Sequence, residues 1–463
     1  MPYNGHEQIR QHTSIYPMTI RTHFKENFHL AYPVMLSNLG HVMMSVTDTM
    51  MVGHLNAESL AAAGLAVVVF NVFMLFGIGV SFAITPLVAA AQGENNDTDI
   101  VETLRHGLVI NVINAFILIG VVEVGKNVLY HINQPVEVVE RAIPFLSIVA
   151  FSLVPMMVFQ SYKQFAEGLS NTRVALVVMI LANVLNVILN YILIYGHAGS
   201  PAFGLIGAAW ATFISRIFMA ISIAVYIYYI PSFRKFRAAF SWGNYSKKLF
   251  SKMLHLGVPS GVQFIFEAAA FDFSLVMMGW LGTKTQAAHQ IAINLATLSY
   301  MTTAGLGTAA TIRVGYFSGA RDYKNMRLAA YTLLGMALLF MSITAAIFII
   351  ANNWLPTLYV NDPTVIPIAA SLLIVAAIFQ LSDGAQVVCA SALRGLQDVK
   401  IPSFFIFISY WVIGLPLGYW LGFKTDYQAI GIWMGLLIGL TLTAIAMFLR
   451  LKWSIDRRLA VGS

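Results

Sequence analysis

Twelve apolar runs follow one another along the chain, and they constrain the fold more than any other feature. A helix needs about 20 apolar residues to cross a bilayer. The runs cover 28–52, 60–92, 104–125, 141–162, 174–196, 206–230, 254–280, 286–318, 327–350, 366–392, 402–422 and 427–450. Only 10% of residues are charged, against about 25% in a soluble domain. The sequence therefore predicts an all-α integral membrane protein with twelve transmembrane helices.

Lysine and arginine are distributed unevenly between the loops. Of the 27 lysines and arginines, 22 fall in loops or span ends on the side of the N-terminus, four on the opposite side, and one, Arg216, well inside a span. Because basic loops face the cytoplasm, we expect both termini to be cytoplasmic. The net charge of +7 then reflects topology and contact with anionic lipids rather than binding to nucleic acid. Residues 1–27 hold no apolar run, so the first span is expected to act as its own insertion signal.

The chain contains an internal repeat. Residues 30–93 align with residues 256–319 without a gap at an offset of 226, with Pro33 on Pro259. Similarity continues beyond this pair of stretches, since AEGLSNTRVAL resembles ALRGLQDVKIP. Such halves predict two six-helix lobes related by a pseudo-twofold axis along the membrane normal. The expected segments are a cytoplasmic segment at 1–27, lobes at 28–231 and 249–450, a linker at 232–248 and a tail at 451–463.

Apart from residues near the ends of the predicted spans, five side chains that are charged at neutral pH lie inside them: Asp48, Arg216, Glu267, Asp272 and Asp383. A charge at this depth costs about 2.5 kcal/mol or more, and such residues usually serve function. Arg216 needs an acidic or carbonyl partner, and a structural ion pair is the expected role.

Asp48 is the candidate for the first half. Asn186 and Asn190 are spaced i,i+4 and so share a helix face, and Thr212 follows on the sixth span. An oxygen-rich pocket with one carboxylate suits a proton or Na⁺. The alternatives are that Asp48 bonds to neighbouring backbone and that the asparagines hold helices together.

Glu267 and Asp383 are the candidates for the second half. Each has a phenylalanine one turn away, Phe271 and Phe379 respectively. Apolar surroundings favour a protonated carboxyl, whereas a cationic drug favours the ionised one, so the two partners exclude each other. Asp272 lies about 140° further round the helix than Glu267. The candidate substrate-binding residues are Asp48, Glu267, Asp272, Asp383 and Phe379; structural hydrogen bonding is the alternative for the acids.

The sequence offers no motif for an enzyme. It has no P-loop, dinucleotide fingerprint, HExxH or paired cysteines, and Cys389 is its one cysteine. His289 is expected to be packed rather than to bind a metal. We therefore expect no cofactor beyond a coupling ion, H⁺ or Na⁺.

Several stretches resemble the multidrug and toxic compound extrusion (MATE) family, in particular its NorM-like branch. They are AYPVMLSNLGHVMMSVTDTMMVGHL, GVSFAITPLVAAAQG, AAHQIAIN, ALRGLQD and YWVIGLPLGY. The resemblance covers essentially the whole chain and implies two six-helix lobes around a central cavity. It also implies export of cationic amphipathic drugs in exchange for H⁺ or Na⁺, from a bacterial inner membrane and by a monomer.

The resemblance also assigns residues. The acids of the first, seventh and tenth helices fall on Asp48, Glu267 and Asp383. The amino-lobe cation site falls on Asp48, Asn186, Asn190 and Thr212. Some members have an aspartate in place of Asn190, and Phe379 stands where an aromatic hydroxyl can occur.

Three other functions remain as alternatives. A flippase for lipid-linked precursors of a related superfamily would show extra helices and several cations in the amino lobe, where only Arg216 is found. An intramembrane enzyme would need paired catalytic aspartates or a metal cluster. A channel fits the composition, but two related halves favour alternating access.

Overall fold

The computed structural model describes residues 19–131, 134–240, 243 and 245–462. Most of the predicted amino-terminal segment, residues 1–18, lies outside these ranges. Within them the chain forms twelve long helical segments, α1 to α12. They are Ile20–Gly53, Ala57–Gly93, Asp97–Gly125, Val136–Gly168, Arg173–Tyr195, Gly204–Tyr229, Lys247–Leu281, Thr283–Gly319, Tyr323–Ile350, Val365–Gly395, Lys400–Phe423 and Gln428–Gly462. Each predicted span falls on one of them, which confirms the all-α prediction.

Ten of the twelve described helices are long and apolar enough to cross a membrane by those criteria alone. The other two, α1 and α8, have 34 and 37 residues and a higher polar content. Each is related by the 226-residue repeat to one of the ten, α1 to α7 and α8 to α2. The chain is therefore a multi-pass membrane protein.

Three of the segments are interrupted. The α2 segment breaks at Phe82–Ala83, and α4 breaks at Ser152, so each consists of two shorter helices. Residues Phe407–Gly414 in α11 form a π-helix, an arrangement that often occurs at functional sites. Short 3₁₀ helices cover Lys126–His131, Pro231–Phe240 and Leu355–Leu358.

The helices form two compact units. The first unit contains residues 36–88 and 96–261, and within it α4 packs against α2, α3 and α6, while α5 packs against α6. The 3₁₀ segment Pro231–Phe240, which overlaps the predicted linker, packs on this unit, because Phe233 and Phe236 are buried against Phe165.

The second unit contains residues 19–35, 89–95 and 262–462. Its central helix is α10, which packs against α8, α9 and α12. Helices α11 and α12 approach closely, because a Cβ atom on Gly435 would meet the backbone of Gly418. This contact brings the π-helical part of α11 firmly against α12.

The helices of the first unit separate apolar and polar faces in the way that a bilayer requires. On α5, Ile180, Val184 and Ile188 follow one another at i,i+4 and are each more than half exposed. The opposite face of the same helix buries Asn186 and Asn190 completely. Apolar side chains thus face outward toward lipid, and amides face the interior of the unit.

Candidate functional site

Asp48 is held by neutral donors on both of its carboxylate oxygens. Asn190 Nδ2 donates to Oδ1 at 2.5 Å, and Thr212 Oγ1 donates to Oδ2 at 2.9 Å. Asn190 Nδ2 also lies 3.2 Å from Asn186 Oδ1. Helices α1, α5 and α6 therefore bring together the four residues that the sequence grouped as one pocket.

Among the described residues, two amide atoms of this pocket lack a hydrogen-bond partner. Asn190 Oδ1 and Asn186 Nδ2 are buried without a hydrogen bond to any described residue. A buried acceptor oxygen without a donor is uncommon in proteins. Together with the Asp48 carboxylate, the free Asn190 oxygen forms a donor set that fits a proton or a hard monovalent cation.

Arg216 lies one helical turn beyond Thr212 on α6, and its partners differ from the prediction. Its Nη1 donates to Ser152 Oγ at 2.6 Å, and its guanidinium carbon lies 4.8 Å from the centre of the Phe70 ring. Among the described residues Arg216 makes no direct ion pair, but Asp48 lies within electrostatic range of it. Ser152 is the residue at which α4 breaks. A hydroxyl and a ring face therefore contact the arginine directly, and the acid acts on it only at longer range.

Glu267 on α7 belongs to a short hydrogen-bonded chain in the second unit. Gln386 Nε2 on α10 donates to Glu267 Oε1 at 2.8 Å. The hydroxyl of Tyr410, in the π-helical segment of α11, donates to Gln386 Oε1 at 3.1 Å. The indole of Trp411 donates to the carbonyl oxygen of Phe266 at 3.0 Å. Neighbouring residues of one π-helix thus bond to Gln386, the partner of Glu267, and to the backbone of Phe266 immediately before it.

Asp383 is 4% exposed and lies within electrostatic range of the Glu267 carboxyl. Two carboxyl groups within electrostatic range of each other resist ionising together. Binding of one proton or cation therefore lowers their repulsion. Gln380, one turn earlier on α10, is fully buried, and neither atom of its amide has a partner among the described residues. These groups give the second unit a polar interior of its own.

The aromatic side chains around the second-unit acids are mainly packing residues. Phe379 is 4% exposed, and its ring lies 6.2 Å from Phe271 and 5.9 Å from Trp433. His289 is packed as expected, since its Nδ1 lies 3.0 Å from the indole nitrogen of Trp433. Phe379 therefore sits within an aromatic core beside Asp383.

Asp272 differs from the other candidate acids because it is exposed. It lies on a different face of α7 from Glu267, as the helical spacing indicated. The structure thus brings Asp48 together with Asn186, Asn190 and Thr212, and Glu267 together with Asp383. It does not bring Asp272 into either group.

Gln386, Tyr410 and Gln380 are polar residues of the second unit that sequence reasoning missed. Uncharged amides and hydroxyls are common in membrane helices, so they carry little signal by themselves. One signal was present: Gln386 occurs in the tenth span one turn after Asp383, on the same helix face.

A helical membrane protein whose membrane helices carry carboxylates hydrogen-bonded by amides has the architecture of a transporter. The family model described as MatE matches residues 33–192 and 259–420. The two matches begin 226 residues apart, at the same offset as the internal repeat. The chain belongs to the MatE family, and it is a transporter rather than an enzyme.

Relatives of the chain are bacterial transporters. It is 31% identical to the multidrug resistance protein NorM of Aliivibrio fischeri, over 92% of this chain and 93% of the relative. It is 32% identical to the multidrug resistance protein MdtK of Yersinia pseudotuberculosis, over 92% and 94%. These alignments leave few residues of either chain uncovered.

Solved structures share the fold. The eukaryotic MATE transporter AtDTX14 superposes with a TM-score of 0.85 at 20% identity, over 96% of this chain and 100% of that one. A MATE transporter in a bent conformation gives a TM-score of 0.88 at 19% identity, over 96% and 98%. At this identity the likeness concerns the fold alone.

Proposed function

We propose that this protein is a multidrug efflux antiporter that exports cationic amphipathic molecules in exchange for H⁺ or Na⁺. The observation that carries the proposal is the Asp48 carboxylate, held in a membrane helix by neutral donors from Asn190 and Thr212. Such a site holds one negative charge that one proton, one sodium ion or one cationic drug can neutralise. The names of the NorM and MdtK relatives support multidrug substrates.

The second unit supplies a further charge of this kind. The Glu267 carboxyl lies within electrostatic range of Asp383, so binding of a proton or cation at either one lowers the repulsion on the other. Competition between coupling ion and drug for these carboxylates links import of one to export of the other. Phe379 packs in the aromatic core one turn from Asp383, so it keeps the surroundings of that carboxyl apolar.

Alternating access is the proposed route. Binding of the coupling ion from outside favours the inward-facing state, and binding of the drug from inside favours the outward-facing state. Each ligand shifts this equilibrium only by its difference in affinity for the two states. We place the protein, as a monomer with cytoplasmic termini, in the bacterial inner membrane, in contact with anionic lipids.

Ethidium transport into proteoliposomes that contain the purified protein tests the proposal. The protein would be assayed under an imposed pH gradient and, separately, under an imposed Na⁺ gradient at constant pH. Uptake driven by the pH gradient alone identifies H⁺ as the coupling ion, and a requirement for Na⁺ identifies sodium. Absence of transport of ethidium and other organic cations under both gradients would overturn the proposal. It would favour the alternative function, a flippase for lipid-linked precursors.

A further inference from the structure

The polar chain at Glu267 has a defined direction. Gln386 presents its amide nitrogen to Glu267 and its amide oxygen to Tyr410. Gln386 is 1% exposed and Tyr410 is fully buried, so neither can exchange these partners for bulk water. The orientation of one buried amide therefore decides whether Glu267 meets a donor or an acceptor.

The two orientations of Gln386 suit different protonation states of Glu267. With the nitrogen toward Glu267, the amide donates to a carboxylate. With the oxygen toward Glu267, it repels a carboxylate and accepts a hydrogen bond from a protonated carboxyl. The observed orientation stabilises the ionised form, because a hydrogen bond to a charged group is stronger than one between neutral groups.

Tyr410 favours the observed orientation. Its hydroxyl has one proton, which it donates to Gln386 Oε1. If the amide reversed, Gln386 would donate to the tyrosine oxygen, and the tyrosine proton would need another acceptor in a fully buried position. A buried donor without a partner costs about 1–3 kcal/mol. The reversed orientation is therefore disfavoured as long as Tyr410 is present.

The π-helical segment of α11 places Tyr410 where it is needed. Trp411, the next residue, anchors the segment to α7 through the Phe266 carbonyl, immediately before Glu267. Phe407, at the start of the segment, lies 5.0 Å from the Phe266 ring. Three residues of one π-helical segment thus hold its position relative to the Glu267 turn.

Resting on the antiport function proposed above, we propose that Gln386 and Tyr410 are positioning residues that set the pH at which Glu267 exchanges its proton. They act through the hydrogen bond from Gln386 to the carboxyl and need not touch the drug. Other groups act on Glu267 as well. Those within electrostatic range are Asp383 and Arg394 on α10, Tyr300 on α8 and Tyr410 on α11.

The first half offers a matched control. Gln160 stands at the 226-residue offset from Gln386 and is 5% exposed, but the residue at the offset from Glu267 is His41. The amide oxygen of Gln160 has no partner within the described residues. Substitution of Gln160 thus removes the same buried amide from the equivalent place without touching a carboxyl. Tyr419 on α11 is 45% exposed and is the matched control for Tyr410.

Infrared difference spectroscopy of the purified full-length protein reads the proton on Glu267 directly. The carboxylic acid band that Glu267→Gln removes would be titrated in wild type, Gln386→Leu, Tyr410→Phe, Gln160→Leu and Tyr419→Phe. Gln386→Leu is expected to move the titration midpoint of that band upward by about one pH unit, because one hydrogen bond to the carboxylate is lost. Tyr410→Phe is expected to move it in the same direction by less, and both controls to leave it unchanged.

A titration that stays at the wild-type midpoint in both Gln386→Leu and Tyr410→Phe would overturn the positioning role. So would an equal shift in the Gln160→Leu control. Restoration of the wild-type midpoint by Gln386→Asn, a shorter amide, would support the role, since packing alone does not require an amide. The measurement needs no transport, so failure of ethidium transport in proteoliposomes would reject the antiport function separately.

Discussion

The carboxylate sites of the two units differ in the groups that surround each acid. In the first unit a single acid, Asp48, is bonded on both oxygens by neutral side chains, Asn190 and Thr212. In the second unit Glu267 receives one amide hydrogen bond and has a second acid, Asp383, within electrostatic range. The first site holds one acid with Arg216 within electrostatic range. The second holds two acids, with Arg394 within range of Glu267.

The two halves of the internal repeat share their helices but not their acidic residues. At the 226-residue offset, Asp48 corresponds to Ser274 and Glu267 corresponds to His41. Gln160 and Gln386 are both glutamines, yet only Gln386 has an acid to bond to. A backbone can therefore repeat while each half acquires its own charged residues, because packing constrains the apolar faces far more than the polar positions.

Removal of an acid from either site is expected to have the largest effect on ethidium transport. Asp48→Asn and Asp383→Asn should each reduce gradient-driven ethidium transport in proteoliposomes to the level of protein-free vesicles, with normal expression. The reason is that an amide carries no negative charge for a proton, a sodium ion or a cationic drug to neutralise. Ser274→Ala, at the offset from Asp48, is the control and should transport normally. Wild-type transport by both acid variants would remove the basis for comparing the two sites.

Addition of a charge to the first site should be the next largest effect. Asn190→Asp places a second carboxylate beside Asp48, so the first unit would come to resemble the second. We expect the half-saturating Na⁺ concentration for ethidium efflux to fall about tenfold, because two carboxylates hold a monovalent cation more strongly than one. Asn353→Asp, in an exposed loop, controls for the added charge. An unchanged or weaker Na⁺ response would show that the amide at 190 is not a cation ligand.

Loss of a neutral donor should have a moderate effect. Thr212→Val keeps the shape of the side chain but removes the hydroxyl that donates to Asp48 Oδ2. One such bond contributes about 1 kcal/mol, or roughly fivefold in rate or affinity. Initial efflux rates at subsaturating coupling ion would measure the loss. Thr212→Ser, which retains the hydroxyl, should recover most of the activity, and equal defects in both variants would assign the effect to packing.

The smallest effect is expected at Asp272. This acid is exposed and lies apart from both groups of site residues. Asp272→Asn should therefore leave the ethidium efflux rate and its pH profile within experimental error of wild type. A loss comparable to that of Asp383→Asn would mean that the second site extends to a further face of α7.

The positions of the helices follow from the sequence because hydrophobic burial in a bilayer depends on the length of a run more than on its partners. All twelve predicted spans coincide with described helices, including α1 and α8, which carry the most polar residues among the spans. The candidate acids could also be predicted from the sequence, because a charge inside an apolar run is costly and usually serves function. The i,i+4 spacing was enough to place Asn186 and Asn190 on one face.

The partners of these residues depended on tertiary structure. No spacing along the chain indicates that Ser152, at the break in α4, is the partner of Arg216, or that Tyr410 reaches Gln386 from a π-helix. Both contacts join residues far apart in sequence, and both depend on local departures from regular α-helix. The amino-acid sequence was enough to predict which segments lie within the membrane and which of their residues are charged. The packing of the helices alone decided which neutral donors meet each charge, because hydrogen bonds require positions fixed to within a few tenths of an ångström.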